Sequence, residues 1–435
     1  MLFEGRVVLK GGHIVDPVSG IDEVMDLRMD DGIILDVEKN LNPTPGEQVI
    51  DCEGNYVFPG FVDLHVHFRD PGLTYKETLT TGTRAAAAGG YTAVCPMPNT
   101  LPATDSLEKL SVLLKRCKEE AAVKVFPISA VTKDQAGTEL VDIAAVKLGG
   151  AVALSEDGKS VMDIKLYEKA MRIAAKENIP VFAHCEDKNL VNGGVINAGK
   201  KAEELHLPGI SNAVEDVITA RDIFLAGETG ARLHLCHCST KASVALVLLA
   251  KQLGYQVTAE VCPHHFAMCE DDIKLDDGMY KMNPPLRKKE DMIALREGLR
   301  LGVIDCISTD HAPHSEEEKA EGFMKSPFGI VGLETAFALS YTTLVREGQM
   351  SLMDLIRVMS TNPAKIIGYN GGSLAAGKAA DITVCSLEEW TVDRNAFVSK
   401  GHNTPFHGRS VYGKVLRTFV NGKQVYQNPD CNVLY

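Results

Sequence analysis

The stretch "FVDLHVHFRDPG", Phe61 to Gly72, sets two histidines two residues apart at the end of an apolar run. Residues i and i+2 of a strand point to one face, so His65 and His67 aim their imidazoles at one spot where the strand ends. Such a pair is either a set of metal ligands or two hydrogen-bonded structural residues, and the pair alone does not choose. Other apolar runs also close on polar residues. These are Asn99 in "CPMPNT", Glu156 and Asp157 in "SEDG", His184 in "FAHCED", His237 in "LCHCST", His264 and His265 in "CPHHF", and Asp310, His311 and His314 in "STDHAPH". Imidazole and carboxylate donors suit Zn, Mn, Fe or Co, and a set without thiolate fits a hydrolytic zinc better than a structural one. Cys185, Cys236 and Cys238 neighbour the histidines but read as small buried hydrophobes. Four histidines (His65, His67, His184, His237) and two aspartates (Asp157, Asp310) are enough for two metals sharing one carboxylate, an arrangement that activates water and polarises a carbonyl.

These residues converge only if their strands belong to one sheet that curls on itself. Strand-like runs fall at Phe61–Leu64, Tyr91–Cys95, Val123–Ser129, Ala151–Leu154, Pro180–Ala183, Arg232–Cys236, Gln256–Val261 and Val303–Ser308, with helical patterns between most of them. One such helix, in "YKETLTTGTRAAAAGG", reads as opened by a capping box of Thr74 and Glu77. Eight strand–helix units are the pattern of a TIM-type (β/α)8 barrel, whose sites lie at the C-terminal ends of the strands. A doubly wound open sheet is the alternative, and no glycine-rich phosphate loop supports it. Both ends of the chain instead alternate apolar and polar residues between Gly, Asp-Gly and Pro turns, and "VNGKQV" reads as a hairpin. The expected organisation is an α/β chain: a barrel over residues 59–365 and a small β-sandwich domain built from residues 1–58 and 366–435.

The bulk properties narrow the function. A net charge of -13 argues against non-specific binding to nucleic acid or to an anionic membrane. No stretch is apolar for long enough to span a bilayer. The 11 cysteines, many of them in apolar runs, read as reduced thiols, and the opening "MLFEGRVVLKGG" carries no secretory or transit pattern. The expected compartment is the cytoplasm.

The motifs "DLHVHFRDPG", "MPNT", "SEDG", "FAHCE", "CHCST", "KMNPPLR", "STDHAPH" and "PFGIVGLE" resemble the amidohydrolase superfamily, and within it the longer bacterial dihydroorotases, over nearly the whole chain. The resemblance implies reversible conversion of N-carbamoyl-L-aspartate to (S)-dihydroorotate, with one or two Zn2+ per subunit. A metal-activated water attacks the ring amide carbonyl and Asp310 carries the proton. His65 and His67 match ligands of the more buried metal, His184 and His237 those of the second, Asp157 a ligand that bridges, and Asp310 a ligand that also handles the proton. Arg69, Asn99 and His314 match contacts to the substrate carboxylate. Asn283 and the Pro327-Phe328-Gly329 segment match contacts to the ring. Many members of the superfamily bridge their metals with a carboxylated lysine on the fourth strand; here Ser155 stands near that place and Asp157 just beyond, with Glu156 its rival. That departure argues against an allantoinase or hydantoinase. Filled ligand positions argue against an inactive scaffold partner of aspartate transcarbamoylase. A homodimer is a further implication of the resemblance, and an association of the active enzyme with aspartate transcarbamoylase is compatible with it. The charged run "HAPHSEEEKAEGFMKSPFG" reads as a loop able to act as a lid.

Overall fold

In the computed structural model, which describes residues 5–431, each of the eight apolar runs contributes a barrel strand. The first strand is Phe61–Val66, the second Tyr91–Pro96, the fourth Ala153–Ser155, the fifth Val181–Ala183, the sixth Leu233–Leu235, the seventh Val257–Val261 and the eighth Cys306–Ile307. The third run is split into Lys124–Val125, which pairs with the second strand, and Ile128–Ala130, which pairs with the fourth. Pro127 stands in the gap, and a proline has no N–H to give to a ladder. All these pairings are parallel. The first two strands are buried at every position, as parallel strands covered on both faces must be.

A parallel backbone bridge between Val66 and His311, with side-chain contacts behind it, joins the segment after the eighth strand to the first and closes the ring. His67 N–H donates to the His311 carbonyl at 2.8 Å. Behind it the buried Asp63 carboxylate accepts from Thr309 N–H at 3.1 Å and from the Thr309 hydroxyl at 2.6 Å, and also from His65 N–H at 3.0 Å. Burial pushes the Asp63 carboxyl up to about 7, against the pull of these donors.

The outer helices start where the sequence provides caps. Ser106, Asp163 and Thr240 each accept from the first turn of Leu107–Glu120, Ile164–Glu177 and Lys241–Gln252. The helix after the first strand is Leu79–Ala88, and its reciprocal cap is Thr78 with Thr81 rather than Thr74 with Glu77. Glu77 is buried instead, 3.4 Å from His311, and accepts from the Ser399 hydroxyl, so it fastens the C-terminal segment to the barrel.

The strands from both termini hydrogen-bond into one eight-stranded sheet, not two separate ones. The two ends of the chain meet where Ile382–Cys385 runs antiparallel to Tyr56–Pro59, over a core that includes Leu9, Ile14, Leu27, Ile382 and Phe419. The expected hairpin is present: Asn421 and Gly422, both at positive φ, turn Ser410–Val420 into Lys423–Gln427. Among the described residues no helix is long and apolar enough to cross a membrane.

Asp63→Ala strands the Thr309 N–H and hydroxyl in the barrel wall. The variant is expected to lose about 2–4 kcal/mol of stability, read as a lower urea midpoint, and an unchanged midpoint would mean that Asp63 does not brace the closure.

Candidate metal centre and substrate cleft

His65 is fully buried beneath an open cleft of about 560 Å³ at the C-terminal ends of the strands. Except for His65, His314 and Pro327, every residue expected to hold metal or substrate lines that cleft. Asp157 lies at its centre. Its Oδ1 is 3.2 Å from His65 Nε2, 3.6 Å from His184 Nδ1 and 3.9 Å from His237 Nε2, while Oδ2 is 3.6 Å from His67 Nε2. Asp310 Oδ1 is 3.0 Å from His67 Nε2 and 3.5 Å from His65 Nε2. His184 Nδ1 and His237 Nε2 approach to 2.8 Å. Two imidazole pairs therefore face each other across one carboxylate.

The rival carboxylate is turned away. Glu156 accepts from the N–H groups of Val131 and Thr132 and from the Thr132 hydroxyl, which engages it with the loop after the third strand. The strand ends hold the site in costly backbone: Arg69, His237 and Asp310 have φ of 57°, 33° and 49°. Left-handed conformations in non-glycine residues cost on the order of 1 kcal/mol each and collect where a site is held in a set geometry.

The donors fit a cation. Glu260, an acceptor, lies 2.9 Å from His65 Nδ1, so the proton sits on Nδ1 and the Nε2 lone pair faces the carboxylates. Asn99 does the same for His67. Its Nδ2 must donate to Asp157 Oδ2, at 2.9 Å, so its Oδ1 faces His67 Nδ1, also at 2.9 Å. Two lone pairs thus confront two carboxylates, and both His65 Nε2 and Asp157 Oδ1 are buried without a hydrogen-bond partner. The titration of the site points the same way. Burial disfavours charge on His65, yet Asp157 and its neighbours lift it well above the usual imidazole range. Burial raises Asp157 and Asp310, yet the surrounding histidines hold both well below the usual carboxylate range. The pit draws positive charge, as a metal site must.

The residues expected to contact substrate are arranged less simply. Arg69 Nε donates to the Pro313 carbonyl at 3.3 Å. Asn283 donates through Nδ2 to Glu186, whose carboxylate lies 3.6 Å from His184 Nε2. His314 has both ring nitrogens engaged: Nδ1 accepts from Lys76 Nζ at 3.0 Å, so Nε2 carries the proton and donates to the Phe328 carbonyl at 2.8 Å. Burial, followed by Arg69, Lys76 and Lys319, lowers His314 to about 2, which keeps it neutral. It reaches a ligand in the cleft only by exchanging one of these partners.

Sequence reasoning passed over Glu260, Glu186 and Lys76. Glu260 also receives His234 Nε2 at 3.1 Å, so the histidine inside the sixth strand faces away from the pit yet shares its supporting carboxylate. A lone Glu in the apolar strand "VTAEV" is the signal that was available. His264 and His265 stay outside the ligand set; His265 Nε2 donates to the Pro284 carbonyl at 2.8 Å.

Comparison with known proteins bears on this geometry. A family model described as Dihydro-orotase-like matches residues 54–243, and one described as Amidohydrolase family matches residues 226–426. A dihydroorotase of Bacillus cytotoxicus is 49% identical over 424 residues, covering 97% of each chain. A dihydroorotase of Staphylococcus epidermidis is 47% identical over 422 residues, 97% of this chain and 99% of the relative. Among solved structures, the L-hydantoinase (dihydropyrimidinase) from Arthrobacter aurescens superposes with a TM-score of 0.87 at 27% identity, over 97% of this chain and 96% of that one.

Glu260→Gln removes the charge that orients His65 while keeping the volume. Metal affinity, measured by competition with a chromophoric chelator, is expected to fall about 10–100-fold, and wild-type affinity would show that His65 needs no such support.

Proposed function

The chain belongs to the dihydroorotase family of amidohydrolases, and from that premise we propose how its own residues carry the reaction. The activity is the reversible ring closure of N-carbamoyl-L-aspartate to (S)-dihydroorotate, the dihydroorotase step of pyrimidine biosynthesis. The observation that carries the site assignment is the position of Asp157 between two imidazole pairs.

In this reading His65, His67 and Asp310 would hold one ion and His184 and His237 a second, with the Asp157 carboxylate within reach of both groups. Zinc is the ion proposed, because imidazole and carboxylate donors without thiolate suit a hydrolytic zinc. When bound, such an ion supplies an acidified water and a positive charge beside the ring carbonyl. Asp310, which lines the cleft beside His67, takes the proton of the attacking water and returns it to the ring nitrogen as the amide bond breaks; ring closure runs the same transfers backwards. Arg69 presents a planar fork to the substrate carboxylate, Asn99 adds its second amide hydrogen, and His314 joins them on releasing the Phe328 carbonyl. Asn283, Phe328 and Gly329 contact the ring and decide which of its carbonyls faces the histidine–aspartate pit. Buried, unpaired cysteines support a cytoplasmic enzyme, since oxidising compartments favour disulfides. The family resemblance favours a homodimer and is compatible with an association with aspartate transcarbamoylase.

Metal-replete protein is expected to turn over L-dihydroorotate, followed by ultraviolet absorbance, and to leave hydantoin and allantoin essentially untouched; the reverse preference would overturn the reading. Arg69→Met is expected to raise KM about tenfold or more with kcat within a few-fold, the mark of a contact made equally in ground and transition states. Asp310→Asn is expected to lower kcat by about a hundredfold to ten-thousandfold, and a wild-type rate would remove Asp310 from the proton path.

A further inference from the structure

The charged segment after the eighth strand reads in the sequence as a loop able to act as a lid, yet one of its lysines lies inside the protein. Lys319, closing the short helix Glu316–Lys319, is only 1% exposed. Its ammonium donates to three backbone carbonyls, Lys281 at 3.0 Å, Pro327 at 3.0 Å and Gly329 at 2.9 Å. An ammonium has three N–H donors, and a buried charge is tolerated only when they are all used. Burial and then the Lys281 ammonium lower Lys319 to about 7, while Asp277 and Glu318 act the other way.

The carbonyls that Lys319 holds belong to the cleft wall. The Lys281 carbonyl also accepts from Gly329 N–H at 3.0 Å, two residues before Asn283. The Gly329 carbonyl also accepts from Asn403 Nδ2 at 3.1 Å, and the Phe328 carbonyl from His314 at 2.8 Å. Three consecutive carbonyls, those of Pro327, Phe328 and Gly329, are therefore each held by a side chain, while Phe328 and Gly329 line the cleft. Gly329 sits at φ 128°, and a Cβ there would lie 2.6 Å from that of Ala312. Only glycine fits there, so the backbone of the segment packs directly against Ala312.

We propose that Lys319 is a positioning residue for the substrate: by tying Pro327–Gly329 to the Lys281 carbonyl it sets the wall against which the ring is placed and the approach of Asn283. This rests on the reading of Phe328, Gly329 and Asn283 as ring contacts. It also makes the charged run a fastened strap rather than a free loop.

The test is Lys319→Met, which keeps the stem and removes the donors, beside Lys319→Gln, which keeps two. Each is assayed on L-dihydroorotate and by hydrogen exchange, with wild-type turnover as the control for the underlying activity. For Lys319→Met the expected result is a KM raised about tenfold with kcat within about threefold. Amide exchange is expected to quicken over residues 326–331 while the barrel strands keep wild-type rates. Lys319→Gln is expected to fall between, and it carries the test if the Met variant does not fold. An unchanged KM in the folded variants overturns the proposal, as does a KM rise accompanied by faster exchange throughout the barrel. Local loosening with an unchanged KM overturns it too, and assigns the fault to the reading of Phe328 and Gly329 as ring contacts rather than to the lysine's hold on them.

Discussion

Two imidazole lone pairs are held against two carboxylates in the floor of a closed barrel, and most of what surrounds them keeps them there. Glu260 and Asn99 fix the protons of His65 and His67 on the far side of each ring. Asp63 ties the strand that carries both histidines to the strand that leads to Asp310. Acceptors facing acceptors away from water are unfavourable unless a positive charge lies between them. Without a cation this arrangement would cost the fold something that a bound cation returns, so metal binding and folding stability are coupled through these few contacts. Parallel strands suit this purpose because a barrel brings eight strand ends to one place with the backbone fully paired behind them.

Much of this was legible in the sequence, and what was not has a common cause. Strand ends are local features: an apolar run of the right length followed by His, Asp or Asn marks where a side chain will stand, and His65, His67, Asp157, His184, His237 and Asp310 meet as that pattern implies. Contacts between distant segments leave no such local trace. Glu260 lies 195 residues from His65 and Lys76 lies 238 from His314. Lys76 and Lys319 occur in charged runs that look solvated by composition, and only the folded chain shows both of them buried. Glu77 has the spacing of a capping residue, but its helix starts later and its carboxylate is engaged by His311 and Ser399. The break in the third strand was signalled by Pro127.

The likeness to a hydantoinase in shape and to dihydroorotases in sequence is not a contradiction. A barrel with a terminal sheet is a scaffold, and chemistry is set by the side chains at its strand ends. Ser155, at the end of the fourth strand, is buried with its hydroxyl unpartnered and offers no bridging group, whereas Asp157 reaches both imidazole pairs. Arg69, at positive φ just beyond His67, gives the cleft a cation.

The most direct test of the shared carboxylate is metal content. Wild-type protein and Asp157→Ala would be loaded with zinc, dialysed, and measured by elemental mass spectrometry per folded chain. Wild-type protein retaining its zinc while Asp157→Ala loses most of it is the expected result. Equal retention would contradict the central role given to Asp157 and return the imidazoles to a structural part.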